Sequence, residues 1–296
     1  MMTAKVLDGK LVADLIQGRL KERVLQREHD KLPIPKLAVV KVGDDPASGT
    51  YVENKIRAAT KLGMEAELVE LPESVSQSKL RATVSEVNAR TDVHGIIVQL
   101  PIPANLDESS ILEEISTVKD VDGLTSRSLG RLVVGFPVHL PATPLAVVEI
   151  MKYFNIFPEG KHVVVVGRSL LVGRPISIML SQRVADGNAT VTVAHRGTQD
   201  LKKIIATADI LIVATGSPNS IGPEMLSSRT TVIDVGTNWI ADETRKSGRR
   251  LVGDVDFDRA VPIVEAITPV PGGIGPMTVT MLLSNTLSAA EMQDHL

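Results

Sequence analysis

The first part of the chain alternates between short apolar runs and segments in which apolar residues recur at helical spacing. Strands are predicted at residues 37–42, 66–71 and 95–100, and helices at 11–28, 50–62, 78–88 and 106–115. The sequence Thr50-Tyr51-Val52-Glu53 has the form of a capping box, so we expect the second helix to begin there. Gly63 is expected to end that helix.

A second block with the same alternation begins near Pro144. Strands are predicted at 161–166, 189–194, 210–214, 231–235 and 250–252, and helices at 145–154, 175–183, 201–207 and 277–292. The strand at 161–166 carries four consecutive valines, which is too apolar for the edge of a sheet. The charged segment 242–250 is expected to be a surface turn. Alternation of strand and helix predicts an α/β fold with a doubly wound parallel sheet.

Composition narrows the class of protein. The 296 residues suffice for about two domains. Hydrophobic residues make up 43% but aromatic ones only 2%, so small aliphatic side chains must fill the core. A net charge of -3 gives no reason to expect nucleic acid or an anionic membrane as a partner. The absence of cysteine excludes disulfides, thiolate metal sites and a cysteine nucleophile.

Targeting signals are not evident either. No apolar run approaches the roughly 18 residues that span a bilayer. The N-terminus alternates charged and apolar residues and lacks the core of a signal peptide. We therefore expect a cytoplasmic enzyme.

A glycine turn follows the valine strand and leads into a predicted helix. It reads Gly167-Arg168-Ser169-Leu170-Leu171-Val172-Gly173-Arg174-Pro175. A dinucleotide pyrophosphate binds the exposed N–H groups of a helix start at this kind of place. The spacing between the glycines differs from the usual dinucleotide fingerprint, and an ordinary strand-to-helix turn fits this segment equally well.

The end of the next strand bears on the choice of dinucleotide. A fold that prefers NAD usually places a carboxylate there, on the ribose hydroxyls. Here the strand ends in His195-Arg196. Arg196, together with Arg168, would attract a 2′-phosphate, which favours NADP over NAD. The alternative is a pair of solvated surface arginines.

A run rich in proline and glycine precedes the last helix, at Thr268-Pro269-Val270-Pro271-Gly272-Gly273-Ile274-Gly275-Pro276-Met277-Thr278. Such a run cannot be helix or interior strand. Because it lies between two apolar segments, it predicts a shaped loop whose backbone amides suit a flat polar ligand. An ordinary turn is the alternative.

Candidate chemistry in the first block centres on a lysine. Tyr51 and Lys55 lie one helical turn apart, on a face that continues with apolar residues, so burial could make Lys55 a usable acid or base. Gln99 stands near the end of a buried strand, where it could hold Lys55 and a ligand. Asp122, next to Gly123, is either a turn carboxylate or a ligand for an amidine-like edge such as that of a pterin. A surface lysine beside a tyrosine is the alternative for the first pair.

These segments, taken in order, resemble the bifunctional methylenetetrahydrofolate dehydrogenase / methenyltetrahydrofolate cyclohydrolase family. The resemblance rests on Tyr51 and Lys55, on Val98-Gln99-Leu100-Pro101, on Lys119-Asp120-Val121-Asp122-Gly123, on the glycine turn at 167–175 and on the proline-glycine run. It covers nearly the whole chain. It implies NADP-dependent oxidation of methylenetetrahydrofolate, and hydrolysis of the product to formyltetrahydrofolate, within one-carbon metabolism and purine biosynthesis.

The resemblance also implies roles for individual residues. Lys55 would be the acid/base, tuned by Gln99 and Tyr51, and Asp122 would bind the pterin. The folate would be bound by Tyr51, Val98, Leu100, Pro101, Pro271, Gly272, Gly273 and Gly275. The cofactor would be bound by Thr143, Gly167, Arg168, Ser169, His195, Arg196, Thr237 and Thr278. No metal is expected.

The family's architecture predicts two domains around a cleft, with the C-terminal helix returning to the first domain. Residues 1–143 plus 270–296 would form the folate-binding catalytic domain, and 144–269 the NAD(P)-binding Rossmann-like domain. Family members are commonly homodimers paired through the cofactor domain.

This chain departs from the family pattern at three positions. Ala142 replaces a cysteine, Ala146 replaces a glycine near the nicotinamide, and Arg196 replaces the serine that helps to bind the 2′-phosphate. Arg196 could take over that contact, or could hold inorganic phosphate beside NAD. Two rival hypotheses are another two-domain NAD(P)-dependent dehydrogenase and a catalytically silent folate- or NADP-binding regulator. Stabilisation by folate analogues would distinguish the first rival, and loss of Lys55 or Gln99 would have marked the second.

Overall fold

The computed structural model describes residues 4–44, 46–245 and 247–294. The strands are β1 Lys5–Val6, β2 Lys36–Val42, β3 Glu65–Leu71, β4 Gly95–Val98, β5 His162–Val166, β6 Thr190–Ala194, β7 Ile210–Val213, β8 Thr231–Asp234, β9 Asn238–Ala241, β10 Arg249–Val252 and β11 Ala266–Ile267. The helices are α1 Gly9–His29, α2 Pro46–Lys61, α3 Gln77–Ala89, α4 Glu108–Leu112, α5 Ser126–Val133, α6 Ala142–Tyr153, α7 Gly173–Ser181, α8 Leu201–Ile205, α9 Phe257–Ala260 and α10 Ile274–Gln293. The elements confirm the predicted α/β class.

The chain divides into two compact units. The first comprises residues up to Ala13 together with Thr143–Thr278, and the second comprises Asp14–Ala142 together with residues from Val279 onward. The predicted boundaries differ at both ends, since residues before Ala13 and the segment 270–278 belong with the first unit. The N-terminal residues belong to the first unit because their backbone pairs with it. Strand β1 forms a parallel pair with β11, and Lys10 N donates to Gly272 O at 3.0 Å.

The first unit is built on a parallel sheet whose strand order is β1-β11-β8-β7-β5-β6. The chain runs from β5 outward to β6 and then returns to β7 on the other side of β5. The strand order therefore reverses at the carboxyl end of β5, which is where open α/β sheets bind ligands. The four valines of β5 are at most 2% exposed, as expected of a central strand covered on both faces.

The second unit contains a three-stranded parallel sheet with the order β3-β2-β4. Its central strand β2 pairs along its whole length with β3, from Lys36↔Glu65 to Val42↔Leu71. Aliphatic residues of β2, β4, α3 and α4 form one buried cluster beside this sheet. Helix α10 is tied into the unit near its middle, where Asn285 Nδ2 donates to the carbonyls of Val121 and Leu140 at 2.8 and 2.9 Å.

Several predicted elements need correction. Helix α2 begins at Pro46, so Thr50 lies inside it and the capping-box interpretation was wrong. A proline is well tolerated at a first helical position, where its missing N–H has no partner to lose. The predicted strand at 250–252 belongs to an antiparallel hairpin of β9 and β10, outside the parallel sheet.

The remaining differences are in length and in elements that the sequence pattern did not indicate. Helix α4 is shorter than predicted, and strand β4 ends at Val98, which leaves Gln99 just beyond it. Helix α5, which begins after the N-cap Thr125, was not predicted, and neither were β1, β9, α9 and β11. The prediction that the proline-glycine run excludes helix was wrong for residues 274–278, because α10 begins at Ile274 and Pro276 lies in its first turn, where a missing N–H is tolerated. In the part of the chain that the structure describes, no helix has the length and apolar character needed to cross a membrane.

Candidate active site

A lysine and a glutamine from different elements meet in the second unit. Lys55, on α2, donates from Nζ to Gln99 Oε1 at 2.9 Å. Gln99 lies at the carboxyl end of β4 and is only 8% exposed. Its own Nε2 donates to Leu100 O at 2.6 Å, and its backbone N donates to Val40 O at 2.8 Å. The amide is therefore held in one orientation, with its carbonyl oxygen directed at the lysine.

Lys55 and Asp122 influence each other's pKa. Burial lowers the pKa of the half-buried Lys55 amine, and the nearby Asp122 carboxylate opposes that shift. Burial raises the pKa of the Asp122 carboxyl; Lys55 acts against this rise, and Asp120 adds to it. Both groups are displaced toward their neutral forms, which brings their proton affinities closer together than in water. Such a pair is suited to proton transfer.

The loop that carries Asp122 is fixed by a second, fully buried carboxylate. Asp120 Oδ1 accepts from the backbone N of Gly123 at 3.0 Å and of Leu124 at 3.2 Å, while Oδ2 accepts from Thr125 N at 2.9 Å. Asn285 binds the same loop from α10 through the carbonyl of Val121. Neither Asp120 nor Asn285 was predicted to contribute to the site. The only available signal was the position of Asp120, one acidic residue two positions before the Asp122-Gly123 pair.

The other predicted folate-binding residues of the second unit differ in accessibility. Tyr51 is 36% exposed and lies one turn before Lys55 on α2. Leu100 is half-buried and Pro101 is exposed, and the peptide bond between them is cis. The side chain of Val98 belongs to the buried core cluster, so only its backbone is available to a ligand. The expected contact through this residue is thereby restricted to main-chain atoms.

The glycine turn after β5 is closely packed in the first unit. Gly167 has a φ of +139°, and a Cβ there would collide with the carbonyl of Ala214. A Cβ on Gly173 would collide with the Gly167 carbonyl and stand 2.8 Å from Arg168 N. Both positions therefore require glycine, because the turn folds back against the start of α7. Ser169 Oγ supports the same turn by accepting from Val172 N at 3.1 Å.

A cavity of about 540 Å³ opens beside this turn. It is lined by the predicted cofactor residues Gly167, Arg168, Ser169, His195 and Arg196. Both arginines are exposed, so their guanidinium groups are available to an anion. The imidazole of His195 is fixed locally, because Nδ1 accepts from Gly197 N at 3.0 Å. The structure thus brings five predicted residues together at the place where the strand order reverses.

The proline-glycine run forms the wall of a smaller cavity of about 100 Å³ in the first unit. Predicted folate residues Pro271, Gly272, Gly273 and Gly275 line it together with Thr237, which was predicted to bind the cofactor. A Cβ on Gly273 would stand 2.5 Å from Pro269 O, whereas one on Gly275 would meet nothing within 4 Å. The remaining predicted cofactor residues also meet, since Thr278 Oγ1 donates to Thr143 Oγ1 at 3.4 Å.

Two further buried carboxylates in the first unit escaped sequence analysis. Asp254 is fully buried and Asp234 is 2% exposed. Asp254 accepts backbone hydrogen bonds from the loop after β7, which lines the larger cavity. Burial raises the pKa of Asp234 to about 7, and the nearby Asp254 adds to the rise. Asp234 follows Ile233, Asp254 follows Gly253, and a valine comes after each, so neither aspartate differs from one at an ordinary strand end or turn.

Comparison with known proteins matches both halves of the chain to one family. The protein-family model described as "Tetrahydrofolate dehydrogenase/cyclohydrolase, catalytic domain" matches residues 7–122. The model described as "Tetrahydrofolate dehydrogenase/cyclohydrolase, NAD(P)-binding domain" matches residues 141–294. Among curated relatives, the bifunctional protein FolD of Cytophaga hutchinsonii is 46% identical over 289 residues, which cover 98% of this chain and 100% of that protein.

Two solved structures are similar over the full length. The FolD methylenetetrahydrofolate dehydrogenase/cyclohydrolase of Campylobacter jejuni has a TM-score of 0.91 and 40% identity, covering 99% of this chain and 100% of that one. The Trypanosoma brucei methylenetetrahydrofolate dehydrogenase-cyclohydrolase, complexed with NADP cofactor and inhibitor, has a TM-score of 0.94 and 38% identity. It covers 100% of both chains.

Proposed function

The chain belongs to the tetrahydrofolate dehydrogenase/cyclohydrolase family, and from this premise we propose that it carries both activities. It oxidises 5,10-methylenetetrahydrofolate with NADP to 5,10-methenyltetrahydrofolate, and it hydrolyses that product to 10-formyltetrahydrofolate. The observation that carries this proposal is the hydrogen bond of 2.9 Å between the half-buried Lys55 amine and Gln99. A pterin edge also matches Asp122, whose pKa is coupled to that of Lys55.

The oxidation removes a hydride from a carbon that bridges two nitrogens. The nitrogen lone pairs stabilise the cation that remains, so this step requires no proton transfer from the protein. NADP, when bound, supplies the hydride acceptor. The chain's own residues have to bind and orient the folate, and we assign this task to Asp122 at the pterin edge and to Tyr51 as a stacking surface.

The hydrolysis requires proton management. A water oxygen forms a bond to the cationic carbon, and the water gives up a proton as that bond forms. We assign this proton to the neutral amine of Lys55, since burial lowers its pKa and increases the neutral fraction. The new hydroxyl then loses its proton to water as its oxygen forms the formyl C=O and the bond from carbon to N5 breaks, and N5 takes up the proton that Lys55 had accepted. Gln99 holds the lysine in place through both transfers.

The residues of the first unit fit a dinucleotide. Gly167 and Gly173 leave a cradle that any Cβ would fill, and α7 starts directly behind it. The cavity of about 540 Å³ is large enough for a substantial part of such a ligand. Arg168 and Arg196 at its wall favour the 2′-phosphate of NADP. We further assign Thr143, Ser169, His195, Thr237 and Thr278 to cofactor binding. We assign the following residues to folate binding: Leu100, Pro101, Pro271, Gly272, Gly273 and Gly275.

One experiment tests the activity and the cofactor together. Purified protein is incubated with methylenetetrahydrofolate and either NADP or NAD, and the absorbance of the reduced cofactor is followed. We expect turnover with NADP and much less with NAD. Absence of turnover with both cofactors in folded protein would refute the dehydrogenase, and a preference for NAD would refute the argument from the two arginines.

A pair of variants isolates the phosphate contact. Arg196→Ala should raise KM for NADP about tenfold or more while leaving KM for NAD nearly unchanged, because only NADP carries the 2′-phosphate. Arg183→Ala removes an exposed arginine outside the cavity and serves as the matched control. Equal effects of Arg196→Ala on both cofactors would contradict the assignment.

Assembly and location remain predictions. We propose a homodimer and a cytoplasmic location, as expected from the family resemblance. Strand β6 lies at the edge of the parallel sheet, and its Val193 is 43% exposed. An edge strand with an exposed apolar residue favours self-association. Light scattering during size-exclusion chromatography measures the assembly directly, and a monomer at working concentration would overturn this part of the proposal.

A further inference from the structure

A single carboxylate gathers donors from two loops of the first unit. Asp254 Oδ2 accepts from the backbone N of Thr215 at 2.6 Å and of Gly216 at 3.0 Å. Its Oδ1 accepts from Ser217 N at 3.0 Å and from Asn238 Nδ2 at 2.8 Å. Residues 215–217 follow β7, and Asn238 is the first residue of β9, at the end of the loop that follows β8. Asp254 therefore connects the exits of two neighbouring parallel strands.

The loop that Asp254 holds is part of the larger cavity. Thr215 and Ser217 line that cavity together with Gly167, Arg168 and Ser169 of the glycine turn after β5. The carboxylate accepts from the three consecutive N–H groups of this loop and so fixes the backbone conformation of the loop at the cavity wall. Thr215 Oγ1 and Ser220 Oγ, 2.8 Å apart, form a hydroxyl pair at the same wall. The shape of this wall depends on a residue that does not itself line the cavity.

A second carboxylate holds Asp254 in place. Asp234 Oδ1 accepts from Asp254 N at 3.1 Å and from Gly236 N at 2.9 Å, while Oδ2 accepts from Val255 N at 2.9 Å. The two segments approach so closely that a Cβ on Gly236 would collide with the Asp254 carboxylate, and one on Gly253 would collide with that of Asp234. Asp254 thus packs against Gly236, two residues after Asp234, and Asp234 packs against Gly253, directly before Asp254.

We propose that Asp254 is a positioning residue for the dehydrogenase reaction, which sets the loop 215–217 in the geometry that binds the dinucleotide. The inference rests on the proposed function, because it takes this cavity as the NADP site. Replacement by asparagine tests it with little change of volume. Both carboxylate oxygens accept from backbone N–H groups, so an amide turned either way directs its NH₂ at one of these donors.

The experiment compares Asp254→Asn with Asp258→Asn, which removes an exposed carboxylate four residues along that lies outside the cavity. NADP affinity is measured by titration calorimetry, and dehydrogenase and cyclohydrolase rates are measured on the same preparations. We expect Asp254→Asn to weaken NADP binding about tenfold or more, since charge-assisted hydrogen bonds are lost at the wall. Cyclohydrolase kcat, which needs no cofactor, should stay within about twofold, and Asp258→Asn should match the wild type.

The ratio of the two activities separates positioning from stability. A purely structural role would lower both rates together through loss of folded protein, and that result would overturn the inference. An NADP affinity of folded Asp254→Asn within about twofold of wild type would also overturn it. If Asp254→Asn does not fold, Asn238→Ala removes one of the same hydrogen bonds, and we expect about a threefold loss of NADP affinity.

If Asp254→Asn does not fold, an unchanged NADP affinity of Asn238→Ala would overturn the inference. The wild-type titration keeps the two proposals distinct. If the wild-type protein itself binds no NADP, the proposed cofactor site fails and this inference fails with it. If the wild type binds NADP and the variants bind it equally well, only the positioning role of Asp254 is refuted.

Discussion

Replacement of Lys55 by methionine is the most direct test of the proposed hydrolysis. Methionine preserves the length and apolar part of the side chain but cannot accept a proton. We expect cyclohydrolase kcat to fall by about 10²–10⁴-fold, the usual contribution of a positioned acid or base. Affinity for NADP should be unchanged, because Lys55 belongs to the second unit and the cofactor cavity to the first.

The effect on stability should be small because two contributions oppose each other. Loss of the ammonium hydrogen bond to Gln99 costs about 1.5–3 kcal/mol. Methionine is stabilising in one respect, because it avoids the free-energy cost of burying a charged amine, the same cost that lowers the pKa of Lys55. We expect the free energy of unfolding to change by about 1 kcal/mol or less, which corresponds to about 2–4 °C in Tm.

The assay follows loss of the methenyl chromophore, with calorimetric titration of NADP on the same samples. Lys61→Met provides the control, because Lys61 lies on the same helix with its side chain 69% exposed. Its cyclohydrolase rate should match the wild type. A Lys55→Met protein that keeps more than about one tenth of the wild-type cyclohydrolase kcat would refute the role assigned to Lys55.

Three further predictions concern electrostatics and packing. Asp122→Asn removes a carboxylate that raises the pKa of Lys55, so the rise of residual cyclohydrolase kcat with pH should move to lower pH; an unmoved profile would contradict the coupling. Gly173→Ala should lower the free energy of unfolding in urea by about 2 kcal/mol or more, because the new Cβ would stand 2.8 Å from Arg168 N. Gly18→Ala is the control: its Cβ would have nothing within 4 Å, so it should stabilise α1 by about 0.5–1 kcal/mol. Equal effects of the two variants would argue against the packed turn. Asp234 has a folded pKa raised from 3.8 to about 7, so between these values the folded protein binds more protons than the unfolded chain and stability falls as pH rises. Asp234→Asn should remove this slope of up to about 1.4 kcal/mol per pH unit, and an unaltered slope in the variant would contradict the shift.

Much of the fold could be predicted because the relevant signals are local. The valine run of β5 and the glycines that follow it are contiguous in the sequence, and their order alone indicates a strand, a turn and a helix. Lys55 and Tyr51 were candidates because helical spacing puts them one turn apart. The start of α2 was mistaken because Thr50 to Glu53 satisfies a capping pattern that the helix, beginning at Pro46, overrides.

The remaining site residues are set by contacts between distant parts of the chain. Asn285 reaches a carbonyl 164 positions away at Val121, and Asp254 binds backbone N–H groups up to 39 positions away. Neither residue differs in its local sequence from a polar residue in a helix or a turn. Their role arises from buried backbone groups that need partners, and the fold alone decides which groups those are.

The sequence by itself determined most of the strands and helices of the two parallel sheets, the glycines that turns require and the residue types that carry the chemistry. These follow from backbone sterics and hydrophobic periodicity, which act over a few residues. Tertiary structure decided that Gln99 fixes Lys55, that Asp120 fixes the loop of Asp122, and that Asp254 and Asp234 shape a wall of the cavity. It also shifted the proton affinities of Lys55 and Asp122, because desolvation and charge proximity exist only once the chain has folded.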